Sequence, residues 1–422
     1  MGCCGKRARD EPSGRPPRNE NRRQNHSVGD DPLSPRLPDA GHAGLVASRP
    51  LLLQCLHWLV NPQSSPSVRP LEIGNPAGFL LAVRRHRLAI PLARHAEALS
   101  LPASLAGQLV WEARHQQRAS MALIALALEA LAALEQKGLR ALVLKGPALA
   151  MQTTGLARGR GGGDLDLLVA PEELPAAVAV LEGLGFHRPP GMFPRQLNSF
   201  WGHYARWTGH ELNLERPGSA CLDLHWALNT VRAPLPPFAA LWQARQAVNL
   251  NGRAVTTLSL EHAFRHSCLH AASDQWMNLH HLLDITLLAR QLPEATGARL
   301  RRERTVRLSC AAAHDATGCA ALLAFTDPTR ADCRRAIARA RWAQERRPRV
   351  SADGAWHPGH WLATVVHRAS LSPSPLDWLR VVARFSLLPA AFNDPLTGED
   401  RGLLAMVQAR RGRLRERLAE RR

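Results

Sequence analysis

Hydrophobic positions change their period twice along the chain, and the changes mark its organisation. Residues 46–60 read as a helix, and after a Pro- and Ser-rich linker at 61–76 further helices run from about 78 to 138, where Gly138 is a plausible cap. The pattern then shortens. ALVL at 141–144 is a short buried strand, DLDLLV at 164–169 alternates acids with apolar residues, and ELNLE at 211–215 and CLDLH at 221–225 pair as a hairpin across Pro217 and Gly218. Between them LPAAVAVLEGLGF has helical spacing and is closed by Gly185. From about 259 to 345 the period is helical again. The reading divides the chain into a disordered leader at 1–45, a helical region at 46–138, a strand-bearing core at 139–258, a helical domain at 259–345, and an irregular or helical region with a basic tail at 346–422.

The chemistry sits in the strands. Successive side chains of a strand point to opposite faces, so Asp164 and Asp166 project the same way. Two acids on one face of an otherwise apolar strand each cost several kcal/mol of desolvation, on the order of the penalty for an unpaired interior charge, unless cations meet them. A divalent ion is the simplest partner, and ligation by carboxylate oxygens suits magnesium or manganese. On the later strand Leu222, Leu224 and Trp226 share one face, while Cys221, Asp223 and His225 share the other. Asp223 is the natural third ligand, with His225 placed to support it.

Upstream, the strand at 141–144 turns on Gly146 into a helix with Pro147 at its first positions, an arrangement that aims backbone N–H groups at an anion. Lys145 stands at that turn. The chain has only three lysines, Lys6, Lys137 and Lys145, against a large excess of arginine, so composition alone does not account for a lysine here.

LVLKGPALA, GRGGGDLDLLVA with Arg160 four residues before Asp164, LEGLGF, and CLDLHWAL together resemble the bacterial family of uncharacterised nucleotidyltransferases, within the DNA polymerase beta-like superfamily. The resemblance covers roughly residues 75–290. It implies an α+β fold: a small mixed β-sheet core flanked by helices, with helical N-terminal and C-terminal regions. It implies Asp164, Asp166 and Asp223 as catalytic metal ligands and Gly146 at the nucleotide phosphates; Lys145, Arg160 and Gly163 beside them are read from the residues as further nucleotide-binding positions. His270, Trp276 and Asp284 match recurring positions of the helical segment, which suggests that they shape an acceptor or base pocket. One departure is Pro147, which lacks the N–H that a Gly-Ser or Gly-Gly phosphate turn would donate. Lys145 and Arg160 are placed to compensate.

The expected reaction is in-line attack of an acceptor hydroxyl on the α-phosphate of a nucleoside triphosphate, with ATP as donor, AMP as the transferred group and pyrophosphate leaving. Two Mg2+ or Mn2+ ions about 3.5–4 Å apart would clamp the entering and leaving oxygens. Two other readings stay open. A nucleotide-binding scaffold that has lost turnover is favoured by Pro147. A nucleic-acid-directed transferase is favoured by the basic helices.

Composition narrows the partners. A formal charge of +19 invites nucleic acid, but the arginines concentrate between 299 and 349 and in the tail at 410–422, with no interleaved aromatics to stack on bases. A small molecule, sugar, peptide or protein acceptor is favoured over nucleic acid. MGCCGK at the start invites lipidation, yet Lys6 occupies the position of the expected Ser or Thr. The longest apolar stretch, 121–134, is interrupted by Glu129 and falls short of the roughly 20 residues of a membrane span, so it reads as a core helix. Eight cysteines without CxxC spacing read as reduced thiols of a cytoplasmic protein. His262, His266 and His270 recur at helical spacing, with His280, His281 and Asp284 following; packed histidines lining a cleft are favoured over a zinc site.

Overall fold

The core is a mixed sheet of six strands in the computed structural model, which describes residues 41–61, 73–99, 101–189, 193–345, 358–387 and the single position 408. The strands are β1 (Ala141–Val143), β2 (Asp164–Val169), β3 (Glu211–Leu214), β4 (Cys221–His225), β5 (Gln246–Leu250) and β6 (Arg253–Thr257), in the order β3-β4-β2-β1-β6-β5. β2 runs parallel to β4 and antiparallel to β1, and β6 lies parallel to β1. The expected hairpin forms as β3 against β4. A second hairpin joins β5 to β6 across Asn251 and Gly252, both at positive φ, the left-handed pair that a tight hairpin turn requires.

Strand alternation sorts the two faces of the sheet. Leu165, Leu167 and Val169 of β2, with Ala141, Val143, Leu222 and Leu224, enter one buried cluster with Leu123–Leu134 of the long helix α4 (Ala103–Gln136) and Leu181 of α6 (Leu174–Gly183). On the opposite face Leu142, Leu144 and Leu168 pack with Phe238 of α8 (Phe238–Gln243) and Ala263 of α9 (Leu260–Ser273). The acids of β2 and β4 lie on this second face, at one end of it.

Helix α4 is long and apolar enough to cross a membrane, the only such helix among the described residues. Its contacts are those of a core helix. Buried Glu112 accepts from Arg84, and buried Ser120 donates to the carbonyl of Arg160 at 3.0 Å, tying α4 to the loop before β2.

The other helices surround this core. α1 (Gly41–Val60) packs on α2 (Pro76–Arg85), and α3 (Ala89–Arg94) lies on α4. α5 (Gly146–Thr154) follows β1, and α7 (Phe200–Thr208) precedes β3. α10 (Leu279–Ala289), α11 (Glu294–Leu300), α12 (Arg304–Thr317) and α13 (Ala331–Glu345) form a helical layer with α9, and the chain ends its described course in the pair α14 (Pro358–Ala369) and α15 (Pro375–Leu387). The leader at 1–40, most of the linker at 62–72 and the basic tail lie outside the described residues; the helix α1 begins within the stretch expected to be leader, at Gly41.

Asp377 of α15 fixes that pair to the core. Its fully buried carboxylate accepts from the backbone N–H groups of Arg232 and Ala233 in the loop after β4, and from Ser372 and Arg380.

Candidate active site

Parallel pairing of β2 with β4 sets Asp164 opposite Cys221, Asp166 opposite Asp223 and Leu168 opposite His225. The two carboxylate-bearing strands therefore present their acids side by side on one face. One ligand atom each of Asp166, Asp223 and His225 lies within 4.8 Å of the other two. Asp164 stands one pleat away, close enough for its charge to act on Asp223.

Each carboxylate is differently supported. Asp166 Oδ1 accepts from Lys145 Nζ at 2.8 Å and faces His225 Nε2 at 3.0 Å. Burial by itself would raise the Asp166 carboxyl, but the ammonium and the imidazole against it hold it far below the usual carboxylate range. The same contact raises His225, overcoming the opposite effect of burial, and raises Lys145 in the same way. Among the described residues no cation forms a hydrogen bond or ion pair with Asp223. Its Oδ1 accepts from Asn213 Nδ2 at 2.5 Å, and burial together with the charges of Asp166, Asp164 and Glu211 pushes its carboxyl up to about 7.

The donor set fits a divalent cation. Among the described residues no hydrogen bond engages the Asp164 carboxylate or the Oδ2 atoms of Asp166 and Asp223. The carboxylates of Asp166 and Asp223 thus converge beside His225, with the charge of Asp164 reaching Asp223, and oxygen ligation favours magnesium or manganese over softer ions.

The turn beside the acids is shaped by glycine. Gly146 has φ +53, a left-handed conformation, while an added Cβ would find only the Asp164 carbonyl, at 3.8 Å, so backbone conformation rather than space requires glycine there. Helix α5 begins at Gly146, and Pro147 removes one of its first N–H donors. In the following loop an added Cβ on Gly161 would come within 2.7 Å of Gln116 Oε1, and one on Gly162 within 3.2 Å of Leu123, both on α4. Nothing lies within 4 Å of the Cβ position at Gly163, which faces open space.

Arg160 has a partner that the sequence did not announce. Its Nε binds Asp284 Oδ2 at 2.8 Å with both side chains nearly buried, joining the loop before β2 to α10. Asp284 is thereby an anchor for Arg160. Trp276 is 1% exposed, and its Nε1 donates to Ser309 Oγ at 2.8 Å inside the helical layer.

Three further groups face the acids without having been read from the sequence. Glu211 is the register partner of His225, sits 3.2 Å from His210 Nε2, and is held below its usual range by His210, His225 and Lys145 despite burial. Arg384 of α15 is close enough to Glu211 to feel its charge. Arg87, in the turn after α2, has φ 53 and a solvent-accessible side chain that is nonetheless desolvated, as in a cleft; it feels the charges of Arg160, Asp164 and Asp166. No side-chain hydrogen bond or ion pair holds it among the described residues. A pattern of local spacing could not have found Arg87, because it lies some 80 positions before the strand it faces.

A family model described as uncharacterised nucleotidyltransferase matches residues 75–324. Comparison with curated proteins gives no match. Among solved structures, an antigenic nucleotidyltransferase-like protein from Paracoccidioides brasiliensis is similar at 17% identity over 50% of this chain and 94% of its own, with a TM-score of 0.30.

Proposed function

The chain belongs to the uncharacterised nucleotidyltransferase family, and from that premise we propose that it transfers a nucleoside monophosphate, AMP from ATP, to the hydroxyl of a non-nucleic-acid acceptor in a magnesium-dependent reaction. The observation that carries the reading is the parallel register of Asp166 with Asp223, with Asp164 on the same face.

Asp164, Asp166 and Asp223 would hold the cation. When bound, a divalent ion neutralises phosphate oxygens and lowers the pKa of a coordinated hydroxyl. The chain's own groups do the rest. Asp223, beside the cation, is placed to take the proton of the acceptor hydroxyl. As that oxygen bonds to the α-phosphorus, the bond to the β-phosphate oxygen breaks and pyrophosphate departs. Lys145 holds Asp166 ionised and oriented through the 2.8 Å contact. Arg87, with no hydrogen-bond or ion-pair partner among the described residues, is a cation placed to meet the triphosphate, whereas Arg160 must share itself with Asp284. The left-handed Gly146 turns the chain into α5 beside the acids, and Gly163 leaves open space before Asp164.

A second reading, a binding protein without turnover, draws on two observations: Lys145 already occupies one oxygen of Asp166, and Pro147 withholds an N–H from the turn. ATP labelled at the α-phosphate or at the γ-phosphate, supplied with magnesium and a host extract, separates these. Label passing to an acceptor from the α-position alone supports nucleotidyl transfer; none from either position supports the binding reading, and γ-label transfer contradicts both. Nuclease treatment of the product tests a nucleic-acid acceptor. The free thiols of Cys55, Cys221, Cys268, Cys310, Cys319 and Cys333 agree with the cytoplasm as the compartment we propose.

A further inference from the structure

The histidine stripe on α9 does not converge as a unit. His262 Nδ1 lies 3.0 Å from Ser259 Oγ at the helix start, and His266 is buried toward the backbone of Leu228. A different set does converge. His270 and Asp274 stand four residues apart at the end of α9, on one face of the helix, and His281 reaches them from α10. One ligand atom from each lies within 4.8 Å of the others.

We propose that His270, Asp274 and His281 form a second metal site, distinct from the carboxylate cluster and suited to a divalent transition ion such as zinc. His270 Nε2 and Asp274 Oδ2 are 3.8 Å apart, too far for a hydrogen bond and near the ~3.4 Å that separates two ligands on a tetrahedral zinc ion. The other oxygen, Asp274 Oδ1, is turned toward Arg368 at 3.6 Å, which leaves Oδ2 to the ion. His281 is only 8% exposed, its ring packs against that of His270 with centroids 4.7 Å apart, and its Nδ1 is buried with no hydrogen-bond partner among the described residues. A buried imidazole nitrogen without a partner is costly, and a metal ion would satisfy a ring that packed neighbours do not.

Donor chemistry separates the two sites. The cluster around Asp166 and Asp223 offers chiefly oxygen, whereas two imidazoles and one carboxylate suit zinc, iron or cobalt. Three protein ligands leave a coordination position for water or substrate, as in an open zinc site. The charge of Lys145 reaches His270, Asp274 and His281, so that position borders the cleft where Asp166 lies. The proposal does not depend on the transfer reading.

Full-length protein stripped with chelator and titrated with cobalt(II) tests it by visible absorption. One equivalent should produce the ligand-field bands of a low-coordinate histidine site, and zinc should abolish them. His270→Gln and Asp274→Asn, chosen because they keep side-chain volume at the less buried positions, should each weaken cobalt binding at least about 100-fold without altering the near-ultraviolet circular dichroism. Asp166→Asn should keep the bands. Absence of bands in the unaltered protein, bands unchanged in both His270→Gln and Asp274→Asn, or bands lost only in Asp166→Asn would overturn the proposal.

Discussion

Asp166 and Asp223 are direct neighbours across the parallel ladder of β2 and β4, yet one is held ionised by Lys145 and His225 while the other is pushed up to about 7. The asymmetry assigns different tasks to two residues of one type: a permanent anion, and a group that exchanges a proton near neutral pH.

Metal affinity should follow the proton on Asp223. A carboxyl that is protonated below about 7 must give up that proton to a cation, so magnesium binding should strengthen between pH 6 and 8 with release of up to one proton per ion. For the metal-free protein the sign is opposite for stability. A raised carboxyl pKa contributes stability at low pH that is lost as pH rises from the unfolded value of 3.8 toward about 7. Calorimetric titration in buffers of different ionisation enthalpy measures the released proton. Affinity independent of pH over this range would contradict the assignment, and Asp223→Asn should abolish the dependence.

Removing Lys145 leaves the buried Asp166 carboxylate with His225 as its only contacting cation among the described residues. Lys145→Met should therefore cost about 3–5 kcal/mol of folding stability, whereas Lys145→Arg should cost less by retaining the charge at Asp166. Chemical denaturation of both variants checks the order.

Arg87 should act on nucleotide affinity. Loss of a charge-assisted hydrogen bond is worth about 1.5–3 kcal/mol, so Arg87→Ala should weaken ATP binding roughly 10- to 100-fold, with most of that recovered in Arg87→Lys. Equal ATP affinity in Arg87→Ala and the unaltered protein would remove Arg87 from the phosphate site.

Asp377 should hold α14 and α15 on the core. Asp377→Ala leaves two backbone N–H groups of the loop after β4 without their acceptor, and should cost on the order of 3 kcal/mol while exposing the segment to protease. Because the Asp377 carboxyl is held below its usual value, its contribution is present at neutral pH and lost as pH falls below the unfolded value of 3.8. Limited proteolysis of the variant is the direct check.

What could be read from the chain follows the range of the interactions. Alternation in DLDLLV and CLDLH was enough to orient Asp164, Asp166 and Asp223, and the scarcity of lysine singled out Lys145. The β5–β6 hairpin was also legible, through Asn251-Gly252 between alternating strands, although only the β3–β4 hairpin had been expected. The Arg160–Asp284 pair and the approach of Arg87 and Arg384 to the acids depend on how distant helices dock, which no local period encodes. The contact of Trp276 with Ser309 likewise depends on how α9 and α12 pack and has no local signal.

The most direct test of the central claim is transfer of label from α-labelled ATP in the presence of magnesium, comparing the unaltered chain with Asp166→Asn and Asp223→Asn, each shown to be folded. The account predicts label in an acceptor with pyrophosphate released by the unaltered chain, and a loss of at least about 100-fold in both variants. Full transfer by either folded variant would contradict it.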